Sequence, residues 1–262
     1  MPRTLKLVLA YDGTRFVGWQ RQAEGVSVQG LLEEALGRIE GAQVRVAGSG
    51  RTDAGVHALG QVASARLAHP ISPADLLRAL NAMLPPDVRV LSVDEAPADF
   101  HARYSAREKT YRYLLASGPS GPFDARFTWV VPFALDPAPM AAAARLLEGE
   151  HDFAAFQSTG TPVAHARRRV SRSVVEECTF ESLLGRALRP PATLPGARLF
   201  AYEVTASGFL RHMVRAIAGT LAEIGAGRRE PAWLGEVLRS GARGQAGPTA
   251  PACGLFLVGV GY

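Results

Sequence analysis

The sequence predicts an α+β protein of two similar lobes, each a mostly antiparallel sheet with helices on one face. Three observations carry this. Over the first hundred residues, stretches of period two and of helical period follow one another in the order βαββαβ. A comparable order of strands and helices recurs afterwards, without a residue-level repeat. The length, 262 residues, suits one large domain or two lobes of about 100 to 150 residues each.

Taken in order, Thr4 to Asp12 alternates as a strand, with Leu5, Leu7 and Leu9 on one face. Val28 to Ile39 places Leu31, Leu32, Ala35, Leu36 and Ile39 on one side of a helix. A strand is expected at Gln43–Ala47, then a glycine-rich turn over Gly48–Ala58, a strand at Gln61–Leu67, a helix at Pro73–Met83 and a strand at Val88–Asp94. The second half reads as strands at Thr110–Ala116 and Thr128–Pro132, a helix at Pro137–Leu147, and strands at Arg169–Thr179 and Arg198–Ala206. Helices at Leu210–Ile224 and Pro231–Leu238 and a strand at Leu255–Val260 complete it. The boundary between lobes is placed in the segment Pro97–Arg107, giving 1–103 and 104–262. Leu188 to Gly196 is proline-rich and reads as a surface insertion, not a linker.

Composition narrows the function. An apolar share of 47% with 20% charged residues is that of a globular protein, and no run approaches the roughly 18 apolar residues of a membrane span. Met1–Leu9 alternates instead of forming a secretory signal, so the expected location is the cytoplasm, with no membrane partner. Cys178 and Cys253 stand in no Cys-x-x-Cys or Cys/His cluster, and the six histidines lack ligand spacing, so no metal site is expected. The net charge of +5 favours a polyanionic partner without proving one. The charge is carried by arginine, Lys6 and Lys109 being the only lysines.

The chemistry concentrates in Ala47–Ala63, AGSGRTDAGVHALGQVA, where glycines permit close approach and Arg51 and Asp53 stand two residues apart. As a phosphate cradle the segment fails, since no Gly-Lys-Ser/Thr follows. From the residues alone, Asp53 is a catalytic carboxylate or a turn-stabilising side chain beside Arg51.

The whole of GRTDAGVHALGQV (Gly50–Val62) resembles the catalytic segment of the TruA family of tRNA pseudouridine synthases. YDGTRFVGWQRQ (Tyr11–Gln22) with VQGLLEEAL (Val28–Leu36), FHARYSAREKTYRY (Phe100–Tyr113), GFLRHMVRAIAGTL (Gly208–Leu221) and TAPACGLFLVGV (Thr249–Val260) are similar to its other motifs, in the same order. The resemblance implies a cleft between the lobes, a homodimer, tRNA as substrate and no cofactor. It implies isomerisation of uridine to pseudouridine at positions 38, 39 and 40 of the anticodon stem-loop, with Asp53 as nucleophile. Tyr111 is then the residue that stacks on the target base, Arg215 the arginine that pairs with the aspartate, and Leu255 the apolar residue closing the base pocket. Arg51 is expected to approach the RNA, because reaching a paired uridine requires flipping it out.

Each residue also has a plainer role: Arg51 as an intraloop ion pair with Asp53, Tyr111 as strand packing beside Tyr113, Arg215 as a phosphate contact or exposed helix charge, Leu255 as strand core. Arg103, Arg107, Lys109 and Arg112 suit a phosphate track; Arg167, Arg168, Arg169 and Arg172 suit a second track or a solvated strand edge. His212 reads as an RNA contact or a packed helix residue, and His57 as structural. Tyr104 departs from the family's usual phenylalanine, and the Leu183–Gly196 insertion is longer than expected. Two rival functions are a silent RNA-binding protein and a small-molecule hydrolase using Asp53. Neither accounts for Asp53, Tyr111 and Arg215 together with the arginine clusters.

Overall fold

A computed structural model describes residues 2–119, 121–158, 160, 165–178 and 196–262. The chain divides into two compact units, Met1–Lys109 with Phe256–Tyr262, and Thr110–Leu255. Both combine mostly antiparallel strands with helices, the α+β class that the alternating and helical stretches predict.

In unit 1, β1 (Arg3–Tyr11) runs between two antiparallel neighbours, β4 (Val88–Ala96) and β3 (His57–Leu67). Its alternation works as expected: Leu5, Leu7 and Leu9 are fully buried, each worth roughly 1.5–3 kcal/mol in burial. β2 (Val46–Gly48) lies antiparallel on β3 with Val46 opposite Ala65. Further along the same strand, β10 (Leu255–Gly261) pairs in parallel, Phe256 opposite His57 and Leu257 opposite Ala58. That pairing, together with Tyr11 of β1 opposite Ala58, is why β3 begins at His57, four residues before the expected Gln61. Residues 256–262 are thus part of unit 1 although the 146 residues of Thr110–Leu255 intervene.

Two helices complete unit 1. α1 (Val28–Glu40) is opened by Ser27, whose side chain accepts from Gly30 N, and buries Val28, Leu32, Ala35 and Leu36. α2 (Pro73–Met83) matches its expected bounds because Ser72 caps it and Pro73 takes the first turn, where no N–H is needed.

In unit 2 the strand order is β5 (Glu108–Ser117), β9 (Arg198–Ala206), β8 (Arg167–Cys178) and β7 (Gly149–Asp152). The short β6 (Trp129–Val131) pairs in parallel with β5. α3 (Pro122–Phe127) and β7 have no counterpart in the sequence reading. β7 is four polar residues, GEHD, with no alternation to reveal it; its strand character comes from antiparallel pairing with Arg167–Val170.

α4 (Pro137–Arg145), α5 (Met213–Gly225) and α6 (Ala232–Ser240) supply the helical side. α5 is buried almost all round. Gly219 makes that closeness feasible, since a Cβ there would collide with the Pro248 carbonyl. The proline-rich insertion Leu183–Gly196 lies outside the described residues except for Gly196. Among the described residues no helix is long and apolar enough to cross a membrane, and no group of His, Cys, Asp or Glu is placed to hold a metal ion.

Candidate active site

Asp53 sits on the loop between β2 and β3, and buried polar side chains lock that loop from inside. Ser49 N donates to Val62 O at 2.7 Å as the chain leaves β2. Ser49 Oγ donates to Gln61 Oε1 at 2.7 Å, and Gln61 Nε2 donates to Gly50 O at 3.1 Å and to the Tyr11 hydroxyl at 3.4 Å. Tyr11 Oη and Thr52 Oγ1 share a hydrogen bond of 2.8 Å. Gln61 is wholly inaccessible, and Tyr11 and Thr52 nearly so. Burial pushes the Tyr11 hydroxyl up to about 12, against the opposing effect of its bonds to Thr52 and Gln61. In such a low dielectric each bond is strengthened and each lost partner is costly.

The same loop is held from outside by the YDGTRFVGW segment. Trp19 N donates to Thr52 O at 3.0 Å, Gly55 N to Phe16 O at 3.4 Å, and the loop closes on itself through Val56 N and Asp53 O at 3.1 Å. Gly18 permits the approach: it has φ +108°, and a Cβ would stand 2.5 Å from Thr52 O. Asp53 is half-buried between buried Thr52 and exposed Ala54. Its carboxylate is therefore carried by a backbone that has little freedom to shift.

Arg51 is exposed, and its Nε donates to Gln20 Oε1 at 3.1 Å, a partner the sequence reading did not name. Gln20 is tied in turn to Gln29 Oε1 at 2.6 Å. Lys109 reaches the loop as well: a Cβ on Gly50 would lie 3.1 Å from Lys109 Nζ. Burial, aided by the charge of Arg103, holds this ammonium below the usual lysine range. His57 is buried beneath the loop, stacked on Phe256 at 4.7 Å. Its Nδ1 accepts from Gly13 N at 3.0 Å and also lies 3.2 Å from Asp12 Oδ1.

Unit 2 carries the other predicted residues. Tyr111 on β5 is buried, with Phe209 edge-on at 4.8 Å and 77°. Arg215 is in the first turn of α5, half-buried, and doubly tied to Ala250: its Nε donates to Ala250 O at 2.7 Å and its carbonyl accepts from Ala250 N at 3.1 Å. The segment it anchors runs on to Leu255, which is buried at the start of β10. Tyr113 Oη donates to Pro251 O at 2.8 Å from the β5 side, and burial pushes that hydroxyl well above the ordinary tyrosine range. Unit 2 thus gathers Arg215, Leu255 and the tyrosine strand around residues 250–255. His212, which opens α5, is the one non-glycine residue with positive φ among the described residues, at 62°.

The basic clusters divide on inspection. Arg112 gives Nε and Nη2 to Glu203 Oε2 at 3.1 and 2.7 Å, and Arg172 Nε is 3.4 Å from Glu203 Oε1. One carboxylate balances only one of the two guanidiniums, so the trio keeps a net positive charge, with Arg112 held against Glu203. Arg103 and Arg107 remain exposed. The Arg167–Arg172 strand is no sheet edge, because β7 pairs with Arg167–Val170; Arg167 and Arg169 are exposed, whereas Arg168 turns its Nη1 onto the carbonyls of His165 and Arg167 at 3.1 and 2.6 Å.

The loop thus presents a half-exposed carboxylate, Asp53, with the exposed Arg51 two residues before it. Sequence comparison supplies the family. The profile of the tRNA pseudouridine synthases matches residues 7–105 and 143–262. The tRNA pseudouridine synthase A of Solibacter usitatus is 45% identical, the match covering 99% of this chain and 100% of that one. Those of Syntrophotalea carbinolica (43% identical, covering 98% and 96%) and Myxococcus xanthus (44%, covering 100% and 92%) are similar along their lengths. The chain belongs to the TruA family of tRNA pseudouridine synthases.

Proposed function

We propose that the chain isomerises uridine to pseudouridine in tRNA, at positions 38, 39 and 40 of the anticodon stem-loop, with Asp53 as the nucleophile. The enzyme class is an isomerase, as the family's activity is. The reaction is redox-neutral: the bond from ribose C1′ to uracil N1 breaks, a bond from C1′ to C5 forms, and the C5 hydrogen leaves as a proton while N1 gains one. Nothing in that balance needs an added oxidant or co-reactant.

The observation that carries the reading is the double clamp on the loop of Asp53, inside through Ser49, Gln61, Tyr11 and Thr52 and outside through Phe16 and Trp19. A nucleophile must sit within a fraction of an ångström of its target, and a mobile loop would forfeit much of the rate. In this reading Tyr111 stacks on the uracil, Leu255 closes the opposite side, Arg215 balances the carboxylate and Arg51 approaches the RNA from which the uridine is flipped. The working form is a cytoplasmic homodimer with tRNA as its partner.

The test is tritium release from [5-³H]uridine-labelled tRNA. The parent protein is expected to release tritium and Asp53→Asn to release none while still binding tRNA. No release by the parent, with tRNA binding intact, leaves a silent RNA-binding protein; undiminished release by Asp53→Asn means that another residue is the nucleophile.

A further inference from the structure

An exposed aromatic ring in unit 1 takes no part in the chemistry above. Tyr104 is 77% exposed, the highest value among the exposed large apolar and aromatic side chains of the described residues. A tyrosine contributes to packing by burying its large ring, so one held out in solvent contributes little to the core. It is also not loosely held. His101 Nδ1 accepts from Arg103 N at 3.1 Å and Tyr104 N at 3.4 Å, Ser105 N donates to His101 O at 2.9 Å, and His101 N donates to Ser105 Oγ at 3.1 Å. The His101 ring lies 4.4 Å from the Tyr104 ring, and the Arg103 guanidinium 5.7 Å from it. The ring is therefore presented on a tied turn, backed by one imidazole and flanked by one cation.

Its surroundings give the occupant. Arg103 is exposed beside it, Arg107 is exposed three residues further along the chain, and Arg103 is near enough to depress Lys109, whose ammonium stands over Gly50 of the Asp53 loop. A positive strip with a flat aromatic face is the arrangement on which an unpaired nucleobase stacks while its phosphates meet the cations. We propose that Tyr104 is a stacking platform for an unpaired base of the tRNA next to the uridine being isomerised, with Arg103 holding the adjoining phosphate. This rests on the tRNA reading above and adds to it a substrate-binding residue away from the reacting atoms.

The experiment measures the Kd of unmodified tRNA for the full chain and for Tyr104→Phe, Tyr104→Leu, Tyr104→Ala and Arg103→Ala, at several salt concentrations, with solution mass recorded for each. Tyr104→Ala and Tyr104→Leu are expected to weaken binding about tenfold, with Tyr104→Phe within about twofold of the parent. Stacking is not an ionic contact, so Tyr104→Ala keeps the parent's salt dependence and Arg103→Ala flattens it by about one phosphate. Unchanged binding by Tyr104→Ala overturns the proposal. Restoration by Leu overturns it too, because any apolar cover would then suffice; a mass shift with Tyr104→Ala assigns the ring to a contact between copies instead. Because binding is read without catalysis, a parent that binds tRNA yet releases no tritium would remove the assigned reaction and leave the platform standing.

Discussion

At the scale of single residues, the position of Asp53 depends on a side chain that does no chemistry. Gln61 spends both ends of its amide on the loop, accepting from Ser49 and donating to Gly50 O and Tyr11. Gln61→Ala strands several buried polar groups at once and is expected to cost roughly 3 kcal/mol, read as a lower urea midpoint. Its second signature separates positioning from mere stability: well below the melting temperature, kcat falls at least tenfold while the Kd for tRNA stays within about twofold of the parent. Equal losses in both would mean that the loop has come apart, not shifted. Asp53 could be singled out in the sequence as the proposed nucleophile because a long motif surrounds it. The role of Gln61 was not, because its partners Ser49 and Tyr11 lie 12 and 50 residues away and no local pattern joins them. The same limit hid the Arg112 and Glu203 pair, which spans two strands.

At the scale of elements, what could be read from sequence depended on whether an element carries its own pattern. α2 and β9 do, the first through Ser72 and Pro73 and the second through a long apolar run, and both match their expected bounds. β7 and the start of β3 do not; their strand character is conferred by neighbours, β8 in one case and β10 with the end of β1 in the other. α5 shows the tertiary version of this effect. Its small residues read as ordinary helix formers, yet Gly219 is where the chain passes closest to Pro248. Gly219→Ala, a favourable change for an isolated helix, is expected to destabilise by about 3 kcal/mol or more, since the colliding atom is backbone and cannot rotate away. Urea unfolding measures it, with the midpoint lowered and the slope unchanged.

At the scale of the whole molecule, buried phenols set the alkaline limit. Tyr11, Tyr113, Tyr202 and Tyr262 all have hydroxyls raised by burial, Tyr11 to about 12. A raised phenol contributes stability that is complete below the unfolded value of about 10 and is lost as pH climbs through the folded one. Lys109 has the opposite sign: its lowered pKa costs stability at neutral pH, and that cost fades as the pH rises toward the unfolded lysine value. Four phenols outweigh one ammonium. The melting temperature is therefore expected to fall steadily from about pH 10 to pH 12. Tyr11→Phe removes one phenol's share of the fall, together with the bonds to Thr52 and Gln61, so it starts lower and declines less; a slope unchanged by this substitution would point elsewhere.

The return of residues 256–262 to unit 1 also has a meaning in time. A ribosome delivers the Asp53 loop early, but the strand that pairs beside His57 emerges only after all 146 residues of unit 2, a wait on the order of ten seconds. Through that interval the edge of β3 beyond the loop has no β10, and the Phe256 ring that stacks on His57 does not yet exist. A nascent chain therefore carries the Asp53 loop without its last neighbour while surrounded by the tRNAs that are decoding it. Unit 1 is complete only once synthesis has passed through all of unit 2.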